Sequence, residues 1–145
     1  MSRPQSAAVR TLTRLVPVSR HALFRFLADI ENLPRWAPDF CPELELSCGR
    51  WLAYTMGGDC FVEIEADERS GTIDLRWGGE REGVRLLALR LVTLPGGANL
   101  ISAVCYRGPG MDDLAFEREV AALTSALESV GRLDGAERPC CRLAV

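Results

Sequence analysis

Residues 18–40, VSRHALFRFLADIENLPRWAPDF, form the segment that most constrains the fold. Ser19 is a favourable N-cap for a helix. The apolar side chains that follow it at the spacing of one helix face are Leu23, Phe26, Leu27 and Ile30. Pro34 can open a second helical turn and Pro38 ends it, because proline is tolerated at the start of a helix but not inside it. The segment therefore predicts two short helices meeting at a corner, with Trp36 between the two prolines.

Seven segments of the chain have the composition and alternation of β-strands. One precedes the corner and six follow it, at residues 7–16, 43–47, 50–56, 60–66, 72–77, 84–94 and 98–107. The connections are short and rich in glycine, such as Gly57–Gly58–Asp59 and the turn at Pro95–Gly97. Short turns of this kind join antiparallel neighbours, so the pattern predicts an antiparallel meander.

A long amphipathic helix is predicted at residues 112–130, with Asp112 as its N-cap and Gly131 as its stop. Its apolar stripe consists of Phe116, Val120, Leu123, Leu127 and Val130. At about 1.5 Å per residue, a helix of this size is roughly 28 Å long and can lie across a sheet. We therefore expect an α+β chain that forms a single domain over residues 1–145, with flexible termini at 1–6 and 133–145.

The composition excludes several classes of function. The net charge is −3, which gives no reason to expect a nucleic acid or an anionic membrane as partner. All 17 basic residues are arginine, so Schiff-base chemistry and a P-loop lysine are excluded. No segment is apolar and long enough for membrane insertion, and the N-terminal residues lack the apolar core of a secretion signal.

The six cysteines contain no CxxC pair, so the usual spacing of a structural zinc site is missing. We expect reduced thiols, no metal, no cofactor and a cytoplasmic location. Cys140 and Cys141 fall in the predicted C-terminal tail, where oxidation between molecules is a hazard.

The order of strand, helical corner, strands and closing helix resembles the helix-grip fold of the START-like (SRPBCC) superfamily. The corner ADIENLPRWAPDF and the entry PGMDD to the closing helix are most similar to its polyketide cyclase/dehydrase-type members. The resemblance implies a curved seven-stranded antiparallel sheet wrapped around the C-terminal helix, with two short helices after the first strand. It also implies that the space between sheet and helix is a ligand site.

Alternation along the last two strands predicts which side chains face that space. One face carries Arg85, Thr93, Asn99 and Arg107, and its polarity assigns it to solvent. The opposite face, with Arg90, Ser102 and Tyr106, is then expected to point inward, although a slip of one residue would reverse every assignment. The same reasoning turns Val62, Ile64, Ile73, Leu75 and Trp77 inward. In residues 50–56 neither face is clearly polar, and we expect Trp51, Ala53 and Thr55 to point inward.

These assignments give a candidate site. Arg90 would stabilise a developing enolate and Tyr106 would donate or relay a proton, so these two are the catalytic candidates. The ligand-binding candidates are Trp36, Trp51, Thr55, Trp77, Ser102 and Leu123. Each tryptophan can equally be a core aromatic, and the alternative for Arg90 is a surface ion pair. His21 is the only histidine, so no Ser-His-Asp arrangement and no histidine-based metal site can be assembled without it.

The expected function is binding of a small, largely apolar, oxygen-bearing ligand in an internal cavity, with cyclisation or dehydration of a polyketide-like substrate as its catalytic form. Two alternatives stay open: a non-catalytic lipid or small-molecule carrier or sensor, and a protein-interaction domain with a collapsed cavity. Whether there is turnover and whether the chain forms a homodimer are also open at this point.

Overall fold

The chain folds as one open antiparallel sheet with a long helix at its C-terminal end. The structure, a computed structural model, describes residues 9–55, 57–79 and 83–133. The strands are β1 (Val9–Val16), β2 (Glu43–Ser47), β3 (Arg50–Thr55), β4 (Gly58–Asp67), β5 (Thr72–Gly79), β6 (Gly83–Thr93) and β7 (Asn99–Tyr106). The helices are α1 (Arg20–Ala28), α2 (Leu33–Trp36) and α3 (Asp113–Gly131), and a 3-10 turn at Ile30–Asn32 joins the first two. The predicted α+β fold class is confirmed.

All seven strands form a single sheet in the order β1-β7-β6-β5-β4-β3-β2. Every neighbouring pair is antiparallel, as the short turns predict. The first strand pairs with the last, and α3 packs beside β1, where Arg14 donates to Glu128 at 3.0 Å. No helix in the described ranges is long and apolar enough to cross a membrane.

The corner that carries Trp36 is built by local hydrogen bonds. The Ser19 side chain accepts from the Ala22 N–H at 3.2 Å, which caps α1. Asn32 is only 5% exposed, and its side-chain amide donates to the Phe26 carbonyl at 3.0 Å. This bond holds the start of α2 against the end of α1, so that Trp36 turns into the core with 2% exposure.

The helix α3 begins and packs as its sequence predicts. The Asp112 side chain accepts from the Ala115 N–H at 2.8 Å. The predicted stripe is buried along the whole helix: Phe116, Val120, Leu123, Leu127 and Val130. Alanines 122 and 126 are buried beside it, which lets the helix lie close to the sheet.

The predicted faces of the strands before β6 agree with the burial of their side chains. Val62, Ile73 and Leu75 are buried in the core, and Ala53 is fully buried. Ile64, Trp77 and Trp51 are partly buried and pack against the same core. On the other face, Arg76 donates to Glu65 across β4 and β5 at 2.8 Å.

The predicted faces of β6 and β7 are wrong. Leu87, Leu89 and Leu91 are the buried residues of β6, and Ile101, Ala103 and Cys105 are those of β7. Arg90, Ser102 and Tyr106 alternate with these residues and so belong to the outer face of the sheet. Arg90 donates to Asp74 on β5 at 2.9 Å, the surface ion pair that was its alternative interpretation.

The error has a physical cause. The polar residues that suggested a solvent-exposed face sit at or beside the ends of the strands, where each has a hydrogen-bond or ion-pair partner on another part of the protein. Asn99 is fully buried, and its side-chain amide donates to the Val18 carbonyl at 2.6 Å. Thr93 donates to Asn99 at 2.7 Å, and Arg85 pairs with Glu119 on α3. The centre of the same face is entirely apolar, and the centre decides burial.

Some predictions fall on residues outside the described ranges. These are the N-terminal end, residue 56 of the third predicted strand, and the C-terminal end apart from Leu133, with Cys140 and Cys141. Leu133 itself packs against the core.

Candidate functional site

A small cavity lies between the corner, the sheet and α3. Its volume is about 30 Å³, which is room for about two water-sized groups. The side chains that define it are Trp36 and Phe40 from the corner, Trp77 and Cys105 from the sheet, and Glu119 and Leu123 from α3. Its wall is almost wholly apolar. A ligand larger than a few atoms can enter it only if these side chains move.

A larger cleft of about 440 Å³ adjoins this cavity. The cleft runs between the first half of α3, the turn between β3 and β4, and the segment that leads from β7 to α3. Phe40, Trp77, Glu119 and Ala122 line both the cavity and the cleft, so the two share part of their wall. We call the cavity and the cleft together the passage. Its size is that of small-molecule sites, which commonly span about 300–1,000 Å³.

Phe40 and Trp77 form the aromatic part of the shared wall. Their ring centroids are 5.0 Å apart with an interplanar angle of 72°, an edge-to-face contact. Phe40 lies four residues beyond Trp36 in the loop after α2, where the backbone N–H groups of Phe40 and Cys41 both donate to the Ala37 carbonyl. This tight turn brings Phe40 over the sheet.

An ion pair between Arg85 and Glu119 stands in the wall of the cleft. The two guanidinium NH groups of Arg85 donate to the two carboxylate oxygens of Glu119 at 3.0 and 2.9 Å. The exposed fractions of the two side chains are only 11% and 19%. The Arg85 guanidinium also lies 5.3 Å from the centre of the Trp77 ring.

Gly108 makes room for this arginine. A β-carbon at position 108 would lie 2.9 Å from Arg85 Nε and 3.0 Å from its Cδ. Because a side chain there would collide with Arg85, the glycine permits this arginine to approach the backbone closely.

Two N–H donors of this region lack a hydrogen-bond partner. Among the described residues, the buried side-chain polar atoms without a partner are Trp36 Nε1, Arg85 Nε and Arg107 Nε, all of them donors. Trp36 lines the cavity and Arg85 lines the cleft. A buried donor left unpaired costs about 1–3 kcal/mol, so such groups are uncommon away from functional sites.

Two thiols near the passage, those of Cys105 and Cys41, are not activated nucleophiles. Cys105 lines the cavity, and burial raises the pKa of its thiol. Burial also raises the pKa of Cys41 to about 11, and the Cys41 thiol donates to the Glu43 carbonyl at 3.3 Å. Both thiols therefore stay protonated near neutral pH. The described part of the chain holds no group of three or more His, Cys, Asp or Glu side chains that could bind a metal ion.

The predicted ligand-binding residues divide between several places. Trp36, Trp77 and Leu123 line the cavity, and Thr55 lines the cleft. Trp51 instead lines a separate cleft of about 450 Å³ beside the end of α1. Ser102, with the catalytic candidates Arg90 and Tyr106, is absent from the described walls of the passage.

Sequence reasoning missed the importance of Arg85 and of Phe40. A signal for Arg85 is present, since it is the one charged residue on a strand face that continues as Leu87, Leu89 and Leu91. An arginine that begins an otherwise apolar face needs an acidic partner on the element packed against that face. Glu119, which flanks the apolar stripe of α3, is that partner.

The sheet, the corner and the closing helix together define the helix-grip fold of START-like proteins. The chain is similar in structure to XoxI from Bacillus cereus, with a TM-score of 0.67 and 13% identity over 86% of this chain and 94% of that one. It is similar to a START superfamily protein from Mycobacterium smegmatis, with a TM-score of 0.65 and 12% identity over 86% of this chain and 94% of that one.

A third similar structure is the di-domain ARO/CYC BexL from the BE-7585A biosynthetic pathway. Its TM-score is 0.59 and its identity is 14%, over 85% of this chain and 45% of that one. No protein-family model matches the chain, and no curated protein matches its sequence. Likeness at these identities shows the fold alone, so the function must be argued from the site.

Proposed function

We propose that the protein binds a small, largely apolar ligand in the passage. The observation that carries this proposal is the wall that the two parts of the passage share: four residues line both the cavity and the cleft. A ligand that enters the cleft needs only side-chain movements of Phe40 and Trp77 to reach the buried cavity. The START-like fold supports the proposal, because similar structures include a START superfamily protein.

Ala122 offers a direct test, since it is buried and lines both the cavity and the cleft. We expect Ala122→Phe to fill the passage and to weaken binding of the fluorescent probe N-phenyl-α-naphthylamine at least about tenfold, a loss of about 1.4 kcal/mol. The matched control is Ala121→Phe, which adds the same ring at the exposed neighbouring position of α3. Circular dichroism must show that both variants are folded, because overpacking commonly costs about 1–3 kcal/mol. Equal binding by both variants, or no binding by the unmodified protein, would contradict the proposal.

A second candidate function is turnover of the bound ligand, as cyclisation or dehydration of a polyketide-like substrate. It is favoured by the Arg85–Glu119 pair in the cleft and by the likeness to the ARO/CYC protein BexL. In such a reaction an Arg85 N–H would polarise a ligand carbonyl, and Glu119 would take a proton from the adjacent carbon. Neither Arg90 nor Tyr106 is among the described wall residues of the passage.

Mass spectrometry separates the two functions. A carrier or sensor returns a β-keto ester ligand unchanged in mass and in chromatographic retention. An enzyme converts it into a product that has lost water or, where only a ring has closed, into one of the same mass with a different retention. For an enzyme, Glu119→Gln should remove product formation while N-phenyl-α-naphthylamine still binds. The third alternative, a protein-interaction domain with a collapsed cavity, is supported if the folded protein binds no apolar probe.

We also propose a reducing compartment, with the cytoplasm as the simplest location. Cys48 is an exposed thiol, and Cys41 and Cys105 are buried thiols. Thiol titration of the denatured protein should count six thiols, the full number in the chain. A native disulfide would contradict this location.

A further inference from the structure

We infer that the ligand is a neutral molecule with a carbonyl-type oxygen, which accepts a hydrogen bond from Trp36 Nε1. This inference rests on the proposed function, because it concerns a ligand that reaches the cavity. Trp36 is 2% exposed, lines the cavity, and has no acceptor for its indole N–H among the described residues. The neighbouring wall is apolar, so the acceptor must come from whatever enters.

The unpaired groups specify an acceptor rather than a donor. Both unpaired atoms of the passage walls, Trp36 Nε1 and Arg85 Nε, are N–H groups that can only donate. Buried acceptor oxygens of the described side chains are all paired. A ligand whose only polar group is an ammonium would leave these N–H groups unpaired, because an ammonium has no acceptor atom. A ligand with a ketone, ester or amide oxygen would pair at least one of them.

The charges favour a neutral ligand over an acid. The charged side chains along the described cleft are Asp59, Arg85, Arg118 and Glu119, two of each sign. Arg85 is already compensated by the bidentate contact with Glu119. A ligand carboxylate in the cavity would lie in an apolar space whose charged wall residue is Glu119, and like charges repel strongly there.

Three probes of nearly equal shape test the inference by isothermal calorimetry near neutral pH. They are β-acetylnaphthalene, which has a ketone oxygen; β-ethylnaphthalene, which has no acceptor; and β-naphthoate, which is an anion. The partition of the ketone and the hydrocarbon between water and an apolar solvent gives the affinity ratio expected without a hydrogen bond. In the unmodified protein we expect the measured ratio of the two affinities to favour the ketone about tenfold more than the partition ratio does. We expect the naphthoate to bind about 100-fold more weakly than the ketone.

Trp36→Phe keeps an aromatic ring and removes the N–H, so the tenfold preference for the ketone should disappear. Trp51→Phe is the matched control, because Trp51 lines the separate cleft and its N–H is not a buried unpaired group. The preference should persist in that variant. If Trp36→Phe does not fold, the unmodified protein still tests the inference, because its affinity ratio for the ketone and the hydrocarbon can be compared with their partition ratio.

The outcomes separate this inference from the proposed function. If none of the three probes binds, the proposed function and the inference both fail. The inference fails and the proposed function stands in two cases. In the first, the probes bind but the preference for the ketone over the hydrocarbon is no larger than their partition ratio. In the second, the preference is equally large in Trp36→Phe. In either case a trapped water is the acceptor for Trp36. If β-naphthoate binds as tightly as the ketone, the neutral class is wrong and the ligand is an acid.

Discussion

Removal of Glu119 should destabilise the protein far more than removal of an exposed glutamate on the same helix. Glu119→Ala leaves the Arg85 guanidinium without its carboxylate in a site where only 11% of the arginine side chain is exposed. Breaking a buried pair by loss of one partner costs about 3–5 kcal/mol. Because 19% of the Glu119 side chain is exposed, water can partly replace it, and we expect the lower end, about 3 kcal/mol. Against a typical total of about 5–15 kcal/mol, that loss is large.

The matched control is Glu117→Ala, two positions earlier on α3. Glu117 pairs with Arg10, but 52% of its side chain is exposed. Exposed pairs contribute about 0–1 kcal/mol, so the control should stay within that range. The double variant Arg85→Met with Glu119→Leu should recover most of the stability, because two apolar residues leave no buried charge.

Urea unfolding followed by circular dichroism measures the free energies of unfolding of the parent protein, the two single variants and the double variant. Equal losses for Glu119→Ala and Glu117→Ala would refute the reasoning, and so would a double variant that is less stable than Glu119→Ala. The first result would mean that the Arg85 site is well hydrated. The second would mean that the pair stabilises the fold beyond the relief of a buried charge.

Three further predictions concern packing and pH. Leu123→Ala should lower the free energy of unfolding by about 2–5 kcal/mol, whereas Leu114→Ala on the exposed side of α3 should change it by less than about 0.5 kcal/mol in urea unfolding. Gly108→Ala should displace Arg85 and destabilise the fold, and a Gly108→Ala protein as stable as the parent would contradict the close contact. Burial raises the pKa of Cys41 from 9.0 to about 11, so the unfolded thiol ionises first and stability should fall between about pH 9 and 11. The stability of Cys41→Ala should fall less steeply over that range. Identical slopes of stability against pH in the variant and the parent would contradict the burial of the thiol.

The sequence predicts best the elements whose signals are local. The corner follows from the Ser19 cap and the two prolines, and α3 follows from the Asp112 cap and a stripe of regular spacing. The faces of β4 and β5 are predicted because each has acidic or basic residues along only one side. Local signals suffice there since alternation alone separates the core from solvent.

The faces of β6 and β7 could not be predicted in this way, because both carry polar residues. The choice depends on groups distant in the chain: Arg85 forms an ion pair with Glu119, 34 residues later, and Asn99 donates to the Val18 carbonyl, 81 residues earlier. Only the element that packs on a face reveals whether its polar residues are paired. Assigning more weight to the centres of the strands than to their ends would have given the observed faces.

The size of the cavity also lies beyond sequence reasoning. It depends on how Phe40 and Trp77 pack against each other, and Phe40 comes from a loop. Both side chains line the cavity and the cleft, so their rotamers shape the wall that the two share. Aromatic residues in a sequence predict a core or a pocket equally well, and their rotamers decide which.

The most direct test of the account is the indole N–H signal of Trp36 in a nitrogen–proton correlation spectrum, assigned by its loss in Trp36→Phe. On titration with β-acetylnaphthalene, we predict a downfield shift of the Trp36 indole proton as its N–H gains an acceptor. The signal of Trp51, which lines the separate cleft, should not move. A titration that moves only the Trp51 signal, or leaves the Trp36 signal in place while the ketone binds, would contradict the claim that ligands reach the cavity and pair with Trp36.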